Sequence, residues 1–343
     1  MPPTDRQRIL KQWPAFFAQA RLIDSHAGFS GAIIERLEIA GEQFALRGWP
    51  PESLSVERLE GLHQFQKFLF DRWITQVSVP VPASDGRTIV AGENRCWQLE
   101  PWMPGEASFL DEPNDAKLKS AMQLLARVHL VAEQFKPPDR AAQWFSVTPA
   151  ATSPAVIDRV RILDQWSDTN PDTVLRLIQN KPLPESIKEA LREIVELFQT
   201  RAHTVQAELH EQLSHQYRLV PCLRDLWSDH VLFTENEVTG LIDFGACRAE
   251  NPMIDLSRLL GSYYIDDPAS YRRAMEWYGE IRSLSSAERN LFVALDLSQR
   301  LLAGMAWIER LVFEGKRLAD WGTVSDRLSE IIPRMQAIRI SLI

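Results

Sequence analysis

The sequence predicts an α+β protein of two lobes, an antiparallel sheet with one helix followed by a larger, mostly helical region. Three observations predict it. Within the first hundred or so residues, short strand-like runs are separated by turn signals, whereas most of the remaining chain repeats every three to four residues. A Pro- and Gly-bearing segment, residues 101–105, separates the two regimes. Strand-like sequence then returns once, over residues 217–242. With 343 residues the chain is long enough for two domains. The expected division is an N-terminal helical extension at 1–20, a sheet-rich lobe at 21–102 and a mostly helical lobe at 103–343.

Residues 22–37 read as two strands around a small-residue turn, His26-Ala27-Gly28-Phe29-Ser30-Gly31-Ala32. Residues 43–49 form a third strand, with Phe44 and Leu46 on one face and Ala45 and Arg47 on the other. Ser53 or Ser55 caps a helix to about Trp73. Runs at 77–81 and 87–91 flank Ser84-Asp85-Gly86, a hairpin signal. Residues 95–102 make a last strand, and Asn114 caps an amphipathic helix to about Phe135. Residues 184–213 and the region from Pro252 onward are helical.

Composition removes several function classes. The formal net charge is −8, and no Lys/Arg cluster with interleaved aromatics marks a nucleic-acid face. No apolar run reaches the roughly 18–20 residues of a membrane helix. Cys96, Cys222 and Cys247 lack paired spacing, which points to a reducing cytoplasm rather than a disulfide framework or zinc site. No G-x-x-x-x-G-K-[ST] loop or G-x-S-x-G elbow is present. His210 and His215 are five apart, too far round a helix to share one metal. His129 reads as a packed core histidine, and Asp266-Asp267 before Pro268 as a helix-capping turn, with attraction of a cationic substrate as the alternative.

The chemistry concentrates in Leu223-Arg224-Asp225-Leu226-Trp227-Ser228-Asp229-His230, followed by a β-hairpin and Ile242-Asp243-Phe244-Gly245. Arg224-Asp225-Leu226 and Asp243-Phe244-Gly245 match the kinase pattern H-R-D-L-x-x-x-N followed by D-F-G. Phosphoryl transfer needs positioning and charge neutralisation more than covalent help. Asp225, on a loop before a strand, suits a base that orients an acceptor hydroxyl. Asp243, at a strand end, suits a carboxylate that holds Mg²⁺ against phosphates.

With these motifs the chain resembles the aminoglycoside phosphotransferase-like family of small-molecule kinases, which has the bilobal protein-kinase-like fold. The resemblance spans about residues 22–313 and implies ATP as donor, a small-molecule acceptor and Mg²⁺, with Mn²⁺ as the alternative. It places Gly28, Phe29, Ser30 and Gly31 in the nucleotide loop and Arg47 at the third-strand cation position. It makes the segment containing Glu100 and Trp102 the hinge beside adenine. Arg47 needs a carboxylate partner on the following helix, and Glu60 is favoured over Glu57. Asp255 would brace the catalytic loop.

Three departures accompany the resemblance. Arg47 replaces the usual Lys, Leu223 the loop histidine, and His230 the metal-binding Asn. Imidazole suits Mn²⁺ or Zn²⁺ better than Mg²⁺, and neighbouring Asp229 is the alternative second ligand. The same departures leave open a catalytically impaired, nucleotide-binding relative. An unrelated fold with a coincidental D-F-G is the third reading.

Overall fold

The computed structural model describes residues 3–27, 31–51, 53–315 and 320–338. The first elements are α1 (Pro3–Leu10), β1 (Arg21–Ala27), β2 (Ile33–Ile39), β3 (Glu42–Gly48), α2 (Val56–Phe70), β4 (Val90–Gly92) and β5 (Arg95–Pro101). Next come α3 (Asp115–Ala132), α4 (Ala142–Phe145), β6 (Thr148–Ala151), α5 (Pro154–Ser167), α6 (Pro171–Asn180), α7 (Glu185–Leu213) and β7 (Tyr217–Cys222). Last are β8 (Val231–Thr234), β9 (Glu237–Leu241), β10 (Arg248–Glu250), α8 (Met253–Tyr263), α9 (Pro268–Gly279), α10 (Ser286–Ile308) and α11 (Trp321–Gln336). The chain divides into two compact units, Met1–Val147 with Ser228–Ala249, and Thr148–Trp227 with Glu250–Ile343.

The first unit is built on an antiparallel sheet of order β1-β2-β3-β5-β4. One face buries Leu37, Phe44, Leu46, Trp97 and Leu99 against Ile9, Leu10 and Trp13 from the N-terminal segment. Strand alternation then turns Arg47 to the opposite face. The Ser55 side chain accepts from the Arg58 N–H at 3.3 Å and starts α2. Leu59, Leu62, Phe65 and Leu69 are the buried stripe of that helix.

The hairpin expected at 77–91 is corrected. Its turn is present, with the Gly86 N–H donating to the Ala83 carbonyl at 2.9 Å. Residues 77–82 form no strand, because Pro80 and Pro82 have no N–H to give a ladder. Val81 instead donates across to the Leu99 carbonyl at 2.7 Å. The real hairpin joins β4 to β5 through Glu93 (φ 50°) and Asn94 (φ 57°). Two successive positive φ values are those of a type I′ turn.

Beyond β5, Gly105 (φ +95°) lies where a Cβ would come within 2.4 Å of Thr239 Oγ1 and 2.7 Å of the Phe233 carbonyl oxygen. Only glycine fits there, so residue 106 can exchange backbone hydrogen bonds with Phe233 at 2.9 and 2.8 Å. The β8–β9 hairpin expected between the two aspartates forms, pairing Val231 with Leu241. Asn114 caps α3 by accepting from the Lys117 N–H at 2.9 Å.

The second unit is mainly helical, with β6 paired antiparallel to β7. Helix α10 begins with a full capping box, Ser285 and Glu288 exchanging side-chain-to-backbone bonds. Together with the adjoining π-turn (Glu309–Phe313), it has the length and mean hydropathy, 1.3, of a membrane span, yet 67% of that window is buried. It carries the buried Asp296–Arg300 ion pair at 2.7 Å and serves as the core helix of this unit. Asp267 caps α9 through the Ser270 N–H at 3.0 Å.

Candidate active site

In the first unit, Asp243 follows β9 with φ 60° and ψ 66°, the left-handed region. Its Oδ1 accepts from Arg47 Nη1 at 3.0 Å. Its Oδ2 lies 3.8 Å from His230 Nε2. Burial pushes the Asp243 carboxyl up, but the Arg47 guanidinium and His230 outweigh it and hold it below its ordinary value. Gly245 completes the turn: a Cβ there would come within 2.9 Å of the Trp49 ring. D-F-G therefore needs its glycine for the close approach of β3's end, not for backbone freedom.

His230 and Asp243 come together as expected. Two donors 3.8 Å apart can share one cation that binds each at about 2.1 Å. An imidazole with a carboxylate fits Mn²⁺ readily, and Asp243 alone offers Mg²⁺ an oxygen. Asp229 is exposed and accepts from Ser228 Oγ at 3.1 Å, so His230 is the one of the two that faces Asp243.

Arg47's second partner corrects an expectation. Glu60 pairs with Arg140 at 2.7 Å and does not meet Arg47. The carboxylate near Arg47 is Glu100, at 3.7 Å from Nε, on β5 rather than on α2. The register explains this. Arg47 pairs with Gln98 and Ala45 with Glu100, so Gln98 and Glu100 lie on Arg47's face of the sheet. Burial raises the Glu100 carboxyl, while Arg47, Ser78 and Gln98 act against that rise.

A buried polar chain extends behind this pair. Ser78 Oγ and Gln98 Nε2 donate to Glu100 Oε2 at 3.0 and 3.1 Å. Gln98 Oε1 accepts from Trp49 Nε1 at 2.7 Å and meets His63 Nε2 at 2.9 Å. His63 Nδ1 meets Thr88 Oγ1 at 2.7 Å. Since Gln98 Oε1 can only accept, His63 carries its proton on Nε2. Burial pulls the His63 pKa from 6.5 to about 4, partly opposed by the Gln98 bond. Sequence reasoning missed this chain. Its signal was the pair Gln98 and Glu100, two residues apart on a strand alongside Arg47.

Of the other sequence-selected residues, Gly28, Phe29 and Ser30 are outside the described residues. Gly31 has φ +80°, and its carbonyl accepts from Arg95 Nη1 at 3.0 Å. The Trp102 N–H donates to the Gln43 carbonyl at 2.9 Å, and its ring lies 4.5 Å beneath the Arg36 guanidinium.

In the second unit, the loop after β7 carries Asp225. Asp255, fully buried in the first turn of α8, accepts from the Leu223 and Arg224 N–H groups at 2.8 and 2.6 Å. This is the bracing expected of it, and Arg224 is held at φ 66°. Leu223 is buried where the family histidine would stand. Asp225 Oδ1 accepts from Arg258 Nη2 at 2.7 Å, one helical turn beyond Asp255. Arg258 gave no signal in the sequence.

Comparison with known proteins identifies the family and the fold. The sequence model described as the phosphotransferase enzyme family matches residues 26–287. The chain belongs to that family. Among curated relatives, a homoserine kinase of Gluconobacter oxydans (strain 621H) is 24% identical over 221 residues, 62% of this chain and 60% of that protein. A homoserine kinase of Janthinobacterium sp. (strain Marseille) is 23% identical over 269 residues, 76% of this chain and 71% of that protein. Among solved structures, the phosphotransferase family fold recurs in an aminoglycoside phosphotransferase from Alicyclobacillus acidocaldarius, with TM-score 0.66, 15% identity and coverage of 98% and 93% of the two chains. A microcompartment-associated aminopropanol kinase gives TM-score 0.64 at 16% identity, covering 99% of this chain and 100% of that one.

Proposed function

We propose that this phosphotransferase-family chain transfers the γ-phosphoryl group of ATP to a hydroxyl of a small molecule. The acceptor oxygen bonds to the γ-phosphorus as the bond to the bridging oxygen breaks. The hydroxyl proton passes to Asp225, and ADP leaves. Arg47 neutralises phosphate charge, and as an arginine it can do so bidentately. Asp243 and His230 hold a divalent cation, Mg²⁺ or Mn²⁺, which supplies further charge neutralisation when bound. Residues 21–102 cover the nucleotide, and residues 103–343 supply the base and the acceptor contacts.

The observation that carries this reading is the cluster at Asp243. A carboxylate on a left-handed turn, clasped by a third-strand cation and faced by a second potential ligand, suits metal–phosphate binding and has no need to exist for packing alone. The names of the relatives and structural neighbours, all small-molecule kinases or phosphotransferases, support the same reading. The test is ATP turnover with Mg²⁺ and with Mn²⁺ across hydroxy amino acids, amino alcohols, amino sugars and nucleosides. Asp225→Ala should lower turnover at least about 10²-fold, the low end for a positioned base. Nucleotide binding without transfer to any acceptor would favour the impaired relative instead.

A further inference from the structure

A cavity of about 190 Å³ in the second unit is lined by Trp227, Arg258, Gln299, Arg300, Arg327 and Arg334. Four guanidinium groups around so small a space repel one another unless anions offset them. Three have a carboxylate partner. Arg258 meets Asp225 at 2.7 Å, Arg300 meets Asp296 at 2.7 Å and Arg327 meets Glu330 at 3.1 Å. Arg334 has none among the described residues, and donates only to the backbone carbonyls of Gly261 and Ser262. Buried donors on Arg334 (Nε), Arg300 (Nη1) and Arg258 (Nε) have no acceptor. Glu330 also lines the cavity, and its charge and that of Asp296 act on Arg334 from beyond ion-pair distance, so four guanidinium groups face three carboxylates, which leaves one excess positive charge together with unused donors.

Position gives that charge a purpose. Arg258 both lines the cavity and hydrogen-bonds Asp225. Trp227, two residues past Asp225, forms another wall, with the Arg327 guanidinium 5.1 Å from its ring. An acceptor whose hydroxyl reaches Asp225 would have its other end in this cavity. We infer that the acceptor is a short hydroxy acid whose carboxylate is bound in this arginine-lined cavity, with Arg334 as its principal partner. The inference rests on the phosphotransferase reading above, and it excludes a purely cationic acceptor such as an amino alcohol as the preferred substrate.

Binding and turnover separate the two ideas. The full chain is titrated calorimetrically with butyrate and L-2-aminobutyrate, which have no hydroxyl, and with their uncharged amides. At least one carboxylate should bind at least about tenfold more tightly than its amide, the worth of one charge-assisted contact. Arg334→Gln should erase that difference, and Arg334→Lys should restore part of it. Ala303→Leu, which fills the cavity and leaves every arginine in place, should weaken carboxylate binding as well. The inference is overturned by equal binding of acid and amide, by binding of neither, or by indifference to Arg334. It is also overturned if inorganic phosphate takes the same Arg334-dependent site and excludes the carboxylates, which would make this a free-anion site.

In turnover, L-serine, L-threonine and L-homoserine should exceed ethanolamine, 1-aminopropan-2-ol and 3-aminopropan-1-ol in kcat/KM. Arg334→Gln should raise KM for the hydroxy acid while leaving KM for ATP unchanged. Efficient, Arg334-independent turnover of the amino alcohols overturns this inference and leaves phosphoryl transfer standing. Arg334-dependent carboxylate binding with no turnover of any acceptor does the reverse.

Discussion

Asp243 and Asp225 are both part-exposed carboxylates, at 39% and 46%, and the arginines that hold them differ in depth, Arg47 being 10% exposed and Arg258 36%. Asp243 is bound by Arg47 from 196 residues away in sequence, and Arg47 belongs to a buried chain through Glu100, Gln98 and His63. Asp225 is bound by Arg258 from 33 residues away, in a pair whose side chains remain about 36% and 46% exposed. In the first arrangement the sheet's register sets Arg47, Gln98 and Glu100 on one face. The second is a loop set beside one helix, with its backbone pinned by Asp255. A rigid clasp suits a group that must hold metal and phosphate. A carboxylate held by a single, partly exposed arginine suits a group that must meet a changing acceptor and take up its proton.

The largest expected difference is in stability. Arg47→Ala leaves Glu100 buried without its cation, and should cost about 3 kcal/mol in denaturant unfolding, as for other broken buried pairs. Arg258→Ala breaks a half-exposed pair and should cost at most about 1 kcal/mol. Equal costs would break the contrast between the two regions. A smaller effect concerns acid. The folded His63 pKa lies below its ordinary value, so the unfolded chain takes the proton first. Stability from neutral His63 is complete above about 6.5 and is lost as pH falls toward 4. His63→Gln should flatten the stability profile across that window, measured by urea unfolding at a series of pH values. An unchanged slope would show that the buried chain does not depend on a neutral imidazole. The smallest effect is metal preference. His230→Asn should lower the Mn²⁺-to-Mg²⁺ ratio of turnover several-fold, because an imidazole ligand is replaced by an oxygen; a constant ratio would remove His230 from the metal site.

The same contrast describes what could be read from the sequence. The two aspartates, the hairpin between them, Arg47 on the third strand and Asp255 on its helix were all legible. The aspartates, the hairpin and the strand that carries Arg47 are specified by local patterning or motif spacing, and the part expected of Asp255 is what the resemblance implies. The caps at Ser55 and Asn114 were legible for the same reason. Glu100 as Arg47's counter-charge was not. It depends on which residues of β5 lie opposite β3, and that register is a tertiary result. Arg140 taking Glu60 is equally non-local. The mistaken hairpin at 77–91 gave too little weight to Pro80 and Pro82. The true turn at Glu93 and Asn94 lacks glycine, so it gave a weaker signal. Arg334 and its cavity are assembled from separate helices and left no motif.

The central claim is a division of labour, with Asp243 serving metal and nucleotide and Asp225 serving proton transfer. The most direct test is to measure, in the same two variants, equilibrium binding of a non-hydrolysable ATP analogue with and without Mn²⁺, and single-turnover phosphoryl transfer. Asp243→Ala should lose the metal dependence of binding. Asp225→Ala should bind nucleotide as the wild type does and transfer at least about 10²-fold more slowly. Wild-type transfer in Asp225→Ala, or intact metal dependence in Asp243→Ala, would contradict the account.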